Sequence, residues 1–136
     1  MADRDLVMAK VATVDRWLAR IDETTGGDPQ RLEDVDVNDV FVLNLQRAVQ
    51  ACIDLAHHLT AGRPLGLPST LADAFTLLER GAGLDSELAT RMRSMVGFRN
   101  IAVHEYQALD PAILKAILTG HLDDLRAFCR YALEPE

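Results

Sequence analysis

The chain has 136 residues, of which 49% are hydrophobic and 26% charged, and its formal net charge at pH 7 is −7. This length is that of one globular domain, and the balance of apolar and charged residues excludes a disordered chain and a membrane protein. The acidic excess argues against broad, sequence-independent binding of nucleic acid, which requires clustered Lys and Arg, so any contact with RNA must be local. We expect residues 1–136 to form a single domain.

The first helix is predicted from about Asp3 to Thr24, because apolar residues recur there at steps of three and four. These residues are Val7, Val11, Val14, Leu18 and Ile21. A pair of glycines then ends the helix. Asp28 and Pro29 can cap and open a short helical turn that leads toward Val35.

The second helix has the clearest pattern in the chain, and we expect it to begin after the cap candidates Asp36 and Asn38. Its apolar stripe consists of Phe41, Leu45, Ala48, Cys52, Leu55 and Leu59. Two prolines and two glycines within residues 61–68 end it, because proline removes a backbone donor and glycine loosens the chain.

Capping signals predict three further helices. Ser69 can cap the third helix, Asp85 the fourth, and Asp110 with Pro111 the fifth, while a glycine at 81 or 83 can end the third. Their apolar stripes are Leu71, Phe75 and Leu78; Leu88, Met92 and Met95; and Leu114, Leu118, Leu125, Phe128 and Ala132. Nothing alternates as a strand does, so the sequence predicts an all-α antiparallel bundle of about five helices without a sheet.

The N-terminal segment and the cysteines indicate the compartment. Charged residues, among them Asp3 and Asp5, stand where a secretory signal would place its apolar stretch, and no run approaches the roughly 18 apolar residues of a membrane span. Cys52 and Cys129 are far apart in the sequence, each within an apolar helical stripe, which favours reduced packing residues over a disulfide. We expect a cytoplasmic protein that does not enter a membrane.

The four histidines suggest a metal site, but the sequence supports that hypothesis only weakly. Asp54 has helical spacing to His57 and His58, yet a metal site in a bundle needs a matching carboxylate and histidine pair on a facing helix, and no Glu-x-x-His occurs. His57 and His58 are typical of helix-end residues with satisfied ring nitrogens, and His121 stands alone. Gly-rich phosphate loops are also absent from the sequence. We expect no metal site and no cofactor.

Residues 95–106 concentrate polar groups that can carry catalysis at the end of an apolar helix. Arg99 and Tyr106 are seven residues apart and nearly share a helix face, whereas His104 lies about 140° from Arg99 on an unbroken helix. Either the helix distorts or ends near Val103, or a second subunit completes the site.

These residue types suit the attack of an RNA 2′-hydroxyl on its adjacent phosphate. His104 can move protons near neutral pH, and Arg99 offers a planar fork to the phosphate, so the reaction requires no metal ion. In the competing structural interpretation, Arg99 pairs with Glu105 or Asp110, while His104 and Tyr106 only cap and pack.

The segment from Phe98 to Tyr106 resembles the R-x4-H-x-Y signature of the HepT-like toxins, a branch of the HEPN superfamily. The match extends beyond the three named letters to Phe98 and Asn100, and residues 44–54 resemble the second helix of that family. The similarity in length and helix order covers nearly the whole chain, from about Asp5 to Leu133.

The resemblance implies a homodimeric ribonuclease toxin with two motifs facing one cleft. It implies catalytic roles for Arg99 and His104, a supporting role for Asn100, and neutralisation by an MntA-like nucleotidyltransferase antitoxin that adds AMP to Tyr106. Two copies of Arg99, with Arg91 or Arg93 nearby, would then form a local positive cleft. The alternative is a catalytically inactive HEPN module that binds a nucleotidyltransferase partner or a nucleotide.

Overall fold

The computed structural model describes residues 3–135, and among these residues it contains helices and no strand. Six α-helices follow one another: α1 (Arg4–Thr25), α2 (Val35–Ala61), α3 (Asp73–Gly81), α4 (Ser86–His104), α5 (Pro111–Gly120) and α6 (Leu122–Leu133). Two 3₁₀ helices lie between them, Pro29–Glu33 before α2 and Tyr106–Ala108 after α4. The predicted all-α fold is confirmed.

Helices α1 and α2 run antiparallel, because later residues in α1 contact earlier residues in α2. The backbone N of Asp3 donates to Nε2 of His58 (3.1 Å), and Lys10 Nζ pairs with Asp54 Oδ2 (3.4 Å). Further along α1, the Trp17 ring lies 4.7 Å from the guanidinium carbon of Arg47. The start of α2 therefore lies beside the end of α1.

The start of α2 differs from the prediction. Asp34 caps the helix, since its side chain accepts hydrogen bonds from the backbone N of Asp36 and of Val37, and neither Asp36 nor Asn38 is the cap. Asp34 also terminates the preceding 3₁₀ helix, so the two helices meet at one residue. The apolar stripe does not reveal this first turn, because Val35 is 73% exposed.

The prediction that Ser69 caps the third helix is wrong. Helix α3 begins only at Asp73, whose carboxylate accepts hydrogen bonds from the backbone N of Ser69 (2.9 Å) and of Thr70 (3.2 Å). The hydrogen-bond acceptor is therefore a residue of the helix itself, and it binds backbone N–H groups of the preceding loop. Leu71 lies outside the helix, although it still packs against the core.

The predicted fifth helix is divided into α5 and α6. The chain leaves helical geometry at His121 (φ −125°, ψ −4°), after Gly120, a residue that weakens helices. Asp124 fixes the new start, because its carboxylate accepts from Arg91 Nε (2.9 Å) and lies 3.1 Å from Nδ1 of His121. A change of direction at this point lets both apolar stripes face the same core.

The core is one cluster of buried apolar side chains to which every α-helix contributes. Phe41, Phe75 and Phe128 are its largest fully buried members, with Phe75 and Phe128 in edge-to-face contact at 5.1 Å between ring centroids. Cys52 and Cys129 are buried free thiols in this core, and a hydrogen bond with Cys129, together with burial, raises the pKa of Cys52. Within residues 3–135, no helix combines the length and apolar character needed to span a membrane.

Candidate functional site

The polar segment predicted from the sequence lies at the C-terminal end of α4. The helix continues through His104 and ends at Glu105 (φ −144°, ψ 61°), whose N–H donates to the carbonyl of Ile101 at 2.8 Å. The 3₁₀ helix Tyr106–Ala108 follows directly. The helix therefore continues past the predicted end near Val103, and His104 keeps helical geometry.

Arg99 is partly buried and has no carboxylate partner among residues 3–135. Its Nη1 donates to Oδ1 of Asn100 at 3.1 Å, and its Nε is shielded from solvent without a hydrogen-bond acceptor in that range. The structure therefore contains neither of the ion pairs, with Glu105 or with Asp110, that the structural interpretation required. A shielded guanidinium donor without an acceptor is suited to an incoming anion.

His104 is exposed, and its imidazole makes no hydrogen bond to the part of the chain that the structure describes. Because α4 is continuous from Arg99 to His104, the two side chains leave the helix about 140° apart. The end of the helix at Glu105 comes too late to change this angle. Within residues 3–135, no hydrogen bond joins Arg99 to His104, and the side chain of Asn100 accepts one from Arg99.

The side chain of Tyr106 is hydrogen-bonded to the beginning of α2. Its hydroxyl donates to Oδ1 of Asp39 at 2.5 Å, and its side chain remains 41% exposed. Partial burial, followed by the hydrogen bond to Asp39 and the charge of Asp39, raises the pKa of Tyr106 to about 12. The hydroxyl is thus oriented by a carboxylate on an exposed residue, which fits the predicted position of Tyr106 on a short exposed connection.

Asp39 is the residue of this site that sequence reasoning missed. It lies 67 residues before Tyr106, in a stretch of acidic and amide side chains that looks like a set of helix-cap candidates. No local pattern in the sequence distinguishes Asp39 from its polar neighbours, because its partner Tyr106 is distant in the chain.

The ionisation of Tyr106 tests this contact. We expect Asp39→Asn to lower the pKa of Tyr106 from about 12 toward the ordinary value near 10, because the neighbouring negative charge is removed while partial burial remains. A raised phenol pKa stabilises the fold below about pH 10, and this stabilisation disappears as the pH rises through 12. Ultraviolet titration measures the pKa of Tyr106. It is carried out with and without Asp39→Asn in a Tyr131→Phe background, which removes the signal of the other tyrosine. An unchanged pKa in Asp39→Asn would contradict the contact.

The neighbouring arginines Arg91 and Arg93 have ion-pair partners within the chain. Arg93 Nη1 binds Glu79 at 3.0 Å and Arg91 binds Asp124, so neither guanidinium is available to enlarge a positive cleft around Arg99, contrary to the prediction. The Nε2 of His57, predicted to be satisfied, is buried and has no hydrogen-bond partner in the described range. In residues 3–135, no three His, Cys, Asp or Glu side chains are grouped as metal ligands.

Comparison with known proteins identifies relatives, some of which match nearly the full chain. Residues 14–132 match the family model described as "Ribonuclease HepT-like". The chain is 39% identical to "mRNA nuclease HepT" of Shewanella oneidensis over 91% of its own length and 93% of that protein's. It is 37% identical to "tRNA nuclease HepT" of Aphanizomenon flos-aquae over 49% of its length and 46% of that protein's. A crystal structure of the tri-AMPylated Shewanella oneidensis HEPN toxin with its MNT antitoxin superposes with a TM-score of 0.87 and 38% identity, over 93% of this chain and 96% of that one.

Proposed function

This chain belongs to the family of HepT-like ribonucleases, and on that premise we propose that it is a toxin that cuts RNA without a metal ion. The observation that carries the proposal is the state of Arg99, a guanidinium with a shielded donor and no carboxylate partner within residues 3–135. The exposed His104 on the same helix supplies an imidazole that can accept and donate a proton. Because the proposed substrate is RNA, the proposed place of action is the cytoplasm.

In the proposed reaction, the RNA 2′-hydroxyl attacks its adjacent phosphorus. The new bond joins the 2′ oxygen to phosphorus, and the bond to the 5′ oxygen breaks, which leaves a cyclic phosphate and a 5′-hydroxyl. His104 takes the proton from the 2′-hydroxyl, and the leaving 5′ oxygen receives a proton from a second acid. Arg99, supported by Asn100, stabilises the negative charge on the phosphoryl oxygens.

We propose that two copies of the chain form the working site. The angle of about 140° between Arg99 and His104 prevents one straight helix from directing both at one phosphate. Ile101 and Val103 precede His104 on α4 and are each 41% exposed, so this end of α4 presents apolar surface that a second copy can cover. In a two-fold arrangement, Arg99 of one protomer can face His104 of the other.

The proposed antitoxin is an MntA-like nucleotidyltransferase that adds AMP to Tyr106. The phenolic oxygen attacks the α-phosphorus of ATP, a bond to phosphorus forms, and pyrophosphate leaves. Asp39 is positioned to receive the phenolic proton, because its carboxylate already accepts the hydroxyl hydrogen bond. The attached anionic group would place negative charge where the RNA phosphate must bind.

Cleavage of RNA in the presence of EDTA tests the proposed activity. We expect the purified protein to cut total cellular RNA, and we expect chelation to leave the cleavage rate unchanged. Separate mRNA and tRNA fractions define the class of RNA that is cut. His104→Ala should abolish cleavage, because the proton acceptor is lost. His58→Ala is the matched control, since His58 accepts a hydrogen bond from the backbone N of Asp3 at the other end of α2, and it should retain activity.

The same experiment separates the toxin from the alternative function. Absence of cleavage by the unmodified wild-type protein would contradict the ribonuclease and favour a module that only binds a nucleotidyltransferase or a nucleotide. Activity that disappears on chelation and returns with a divalent cation would contradict the metal-independent mechanism.

A further inference from the structure

Two arginines from different helices lie against one tryptophan on the surface of the bundle. The guanidinium carbon of Arg16 lies 5.4 Å from the centroid of the Trp17 ring, and that of Arg47 lies 4.7 Å from it. Both arginines are exposed and the ring is partly buried. We call Arg16, Trp17 and Arg47 the Trp17 patch.

The Trp17 patch concentrates positive charge in an acidic chain. Within residues 3–135, no carboxylate lies within ion-pair distance of Arg16 or Arg47, although Arg20 on the same helix is paired with Glu23 at 3.2 Å. The negative face of the indole ring holds the two like charges near each other. A ligand phosphate would relieve their mutual repulsion, and an RNA base can stack on planar guanidinium groups.

The Trp17 patch is connected to the candidate site along α2. Asp39, Leu43 and Arg47 are spaced four residues apart, all three are exposed, and they form one stripe on the helix. Asp39 accepts the hydrogen bond from Tyr106, so this stripe begins at the site. Eight residues of α-helix rise about 12 Å, a distance that a strand of a few nucleotides can cover.

We propose that Arg16, Trp17 and Arg47 bind single-stranded RNA a few nucleotides from the cleavage site. The inference rests on the proposed ribonuclease function and adds a second contact to it. Charge complementarity identifies the ligand, because the net charge of −7 leaves few positive surfaces for a polyanion. The Trp17 patch would then explain how an acidic protein holds an RNA strand long enough to cut it.

Trp17 is itself the reporter for the test, because it is the only tryptophan in the chain. In His104→Ala protein, which should not cut RNA, we expect an oligoribonucleotide to quench the Trp17 emission as it binds. Arg16→Gln combined with Arg47→Gln should lower the RNA affinity on the order of tenfold near physiological salt. It should also reduce the slope of log affinity against log salt by about 1.4, the value for two lost phosphate contacts on a single strand.

Arg126→Gln combined with Arg130→Gln is the matched control, because it removes the same charge from α6 and should leave affinity and slope nearly unchanged. Circular dichroism and sedimentation of each variant establish that folding and assembly are preserved. Equal RNA affinity in the patch variant and the control, or RNA binding that leaves Trp17 emission constant, would overturn the proposal. Loss of the dimer or weaker antitoxin binding in the patch variant, with RNA affinity unchanged, would assign the surface to protein contacts and overturn it as well.

Failure of the Trp17 patch proposal can be distinguished from failure of the proposed ribonuclease function. If the wild-type protein cuts RNA and the patch variants cut long and short oligoribonucleotides equally well, only the Trp17 patch proposal fails. If the wild-type protein neither binds nor cuts RNA, both proposals fail.

Discussion

Replacing Arg99 with lysine is expected to slow RNA cleavage by about a hundredfold, even though the positive charge is retained. A lysine ammonium is a point charge and cannot present two parallel donors to a phosphate. It also cannot reproduce the bond from Arg99 Nη1 to Asn100 together with a second contact through Nε. Initial rates on a defined oligoribonucleotide, measured with saturating protein, give the effect on the chemical step.

Arg93→Lys is the control on the same helix. Arg93 is bound to Glu79 and to the hydroxyl groups of Thr76 and Thr90, so its replacement should leave the cleavage rate within about twofold of wild type. Equal rates for Arg99→Lys and wild type would make Arg99 a structural residue and contradict its assignment as the phosphate clamp.

Co-expression with a nucleotidyltransferase antitoxin is expected to add AMP to Tyr106 and to silence the nuclease. Tyr106 is exposed and its hydroxyl is already oriented by Asp39, and an adenylyl group there would add bulk and negative charge two residues after His104. Intact-mass spectrometry should show added mass in multiples of AMP, and removal of that mass should restore cleavage.

Tyr106→Phe should abolish the added mass. Tyr131→Phe should not, because Tyr131, the other tyrosine of the chain, donates its hydroxyl to the carbonyl of Ala82 and is partly buried at the opposite end of the bundle. If the antitoxin silences Tyr106→Phe protein without added mass, control works through binding alone and the proposed modification is wrong.

The helices could be predicted from the sequence because their apolar stripes are regular. The exact ends of the helices could not be predicted, because a cap depends on which of several polar residues faces the free backbone N–H groups. Asp34 caps α2 although Asp36 and Asn38 are equally suitable by residue type, and α3 begins at Asp73 without the side-chain cap that Ser69 could have provided. The break at His121 depends on Asp124 binding Arg91, a contact between residues 33 positions apart.

The polar segment of α4 could be recognised because its residues are close in sequence. Asp39 could not be recognised as part of the site, because its contact with Tyr106 exists only after α2 and the segment following α4 have packed. The same limit applies to the Trp17 patch, which joins α1 to α2, and to Arg93, whose partner Glu79 is on α3. Local patterns predict elements and motifs, whereas the partners of charged side chains depend on packing.

Mixing two inactive variants tests most directly whether Arg99 of one protomer acts with His104 of the other. Arg99→Ala and His104→Ala proteins, unfolded and refolded together, should form mixed dimers in which one of the two sites regains both groups. Random pairing makes half of the dimers mixed, so about a quarter of the wild-type activity should return. Sedimentation of each variant alone should show a dimer, and each should be inactive by itself. Activity that stays at the level of the separate variants, although mixed dimers have formed, would contradict the shared site.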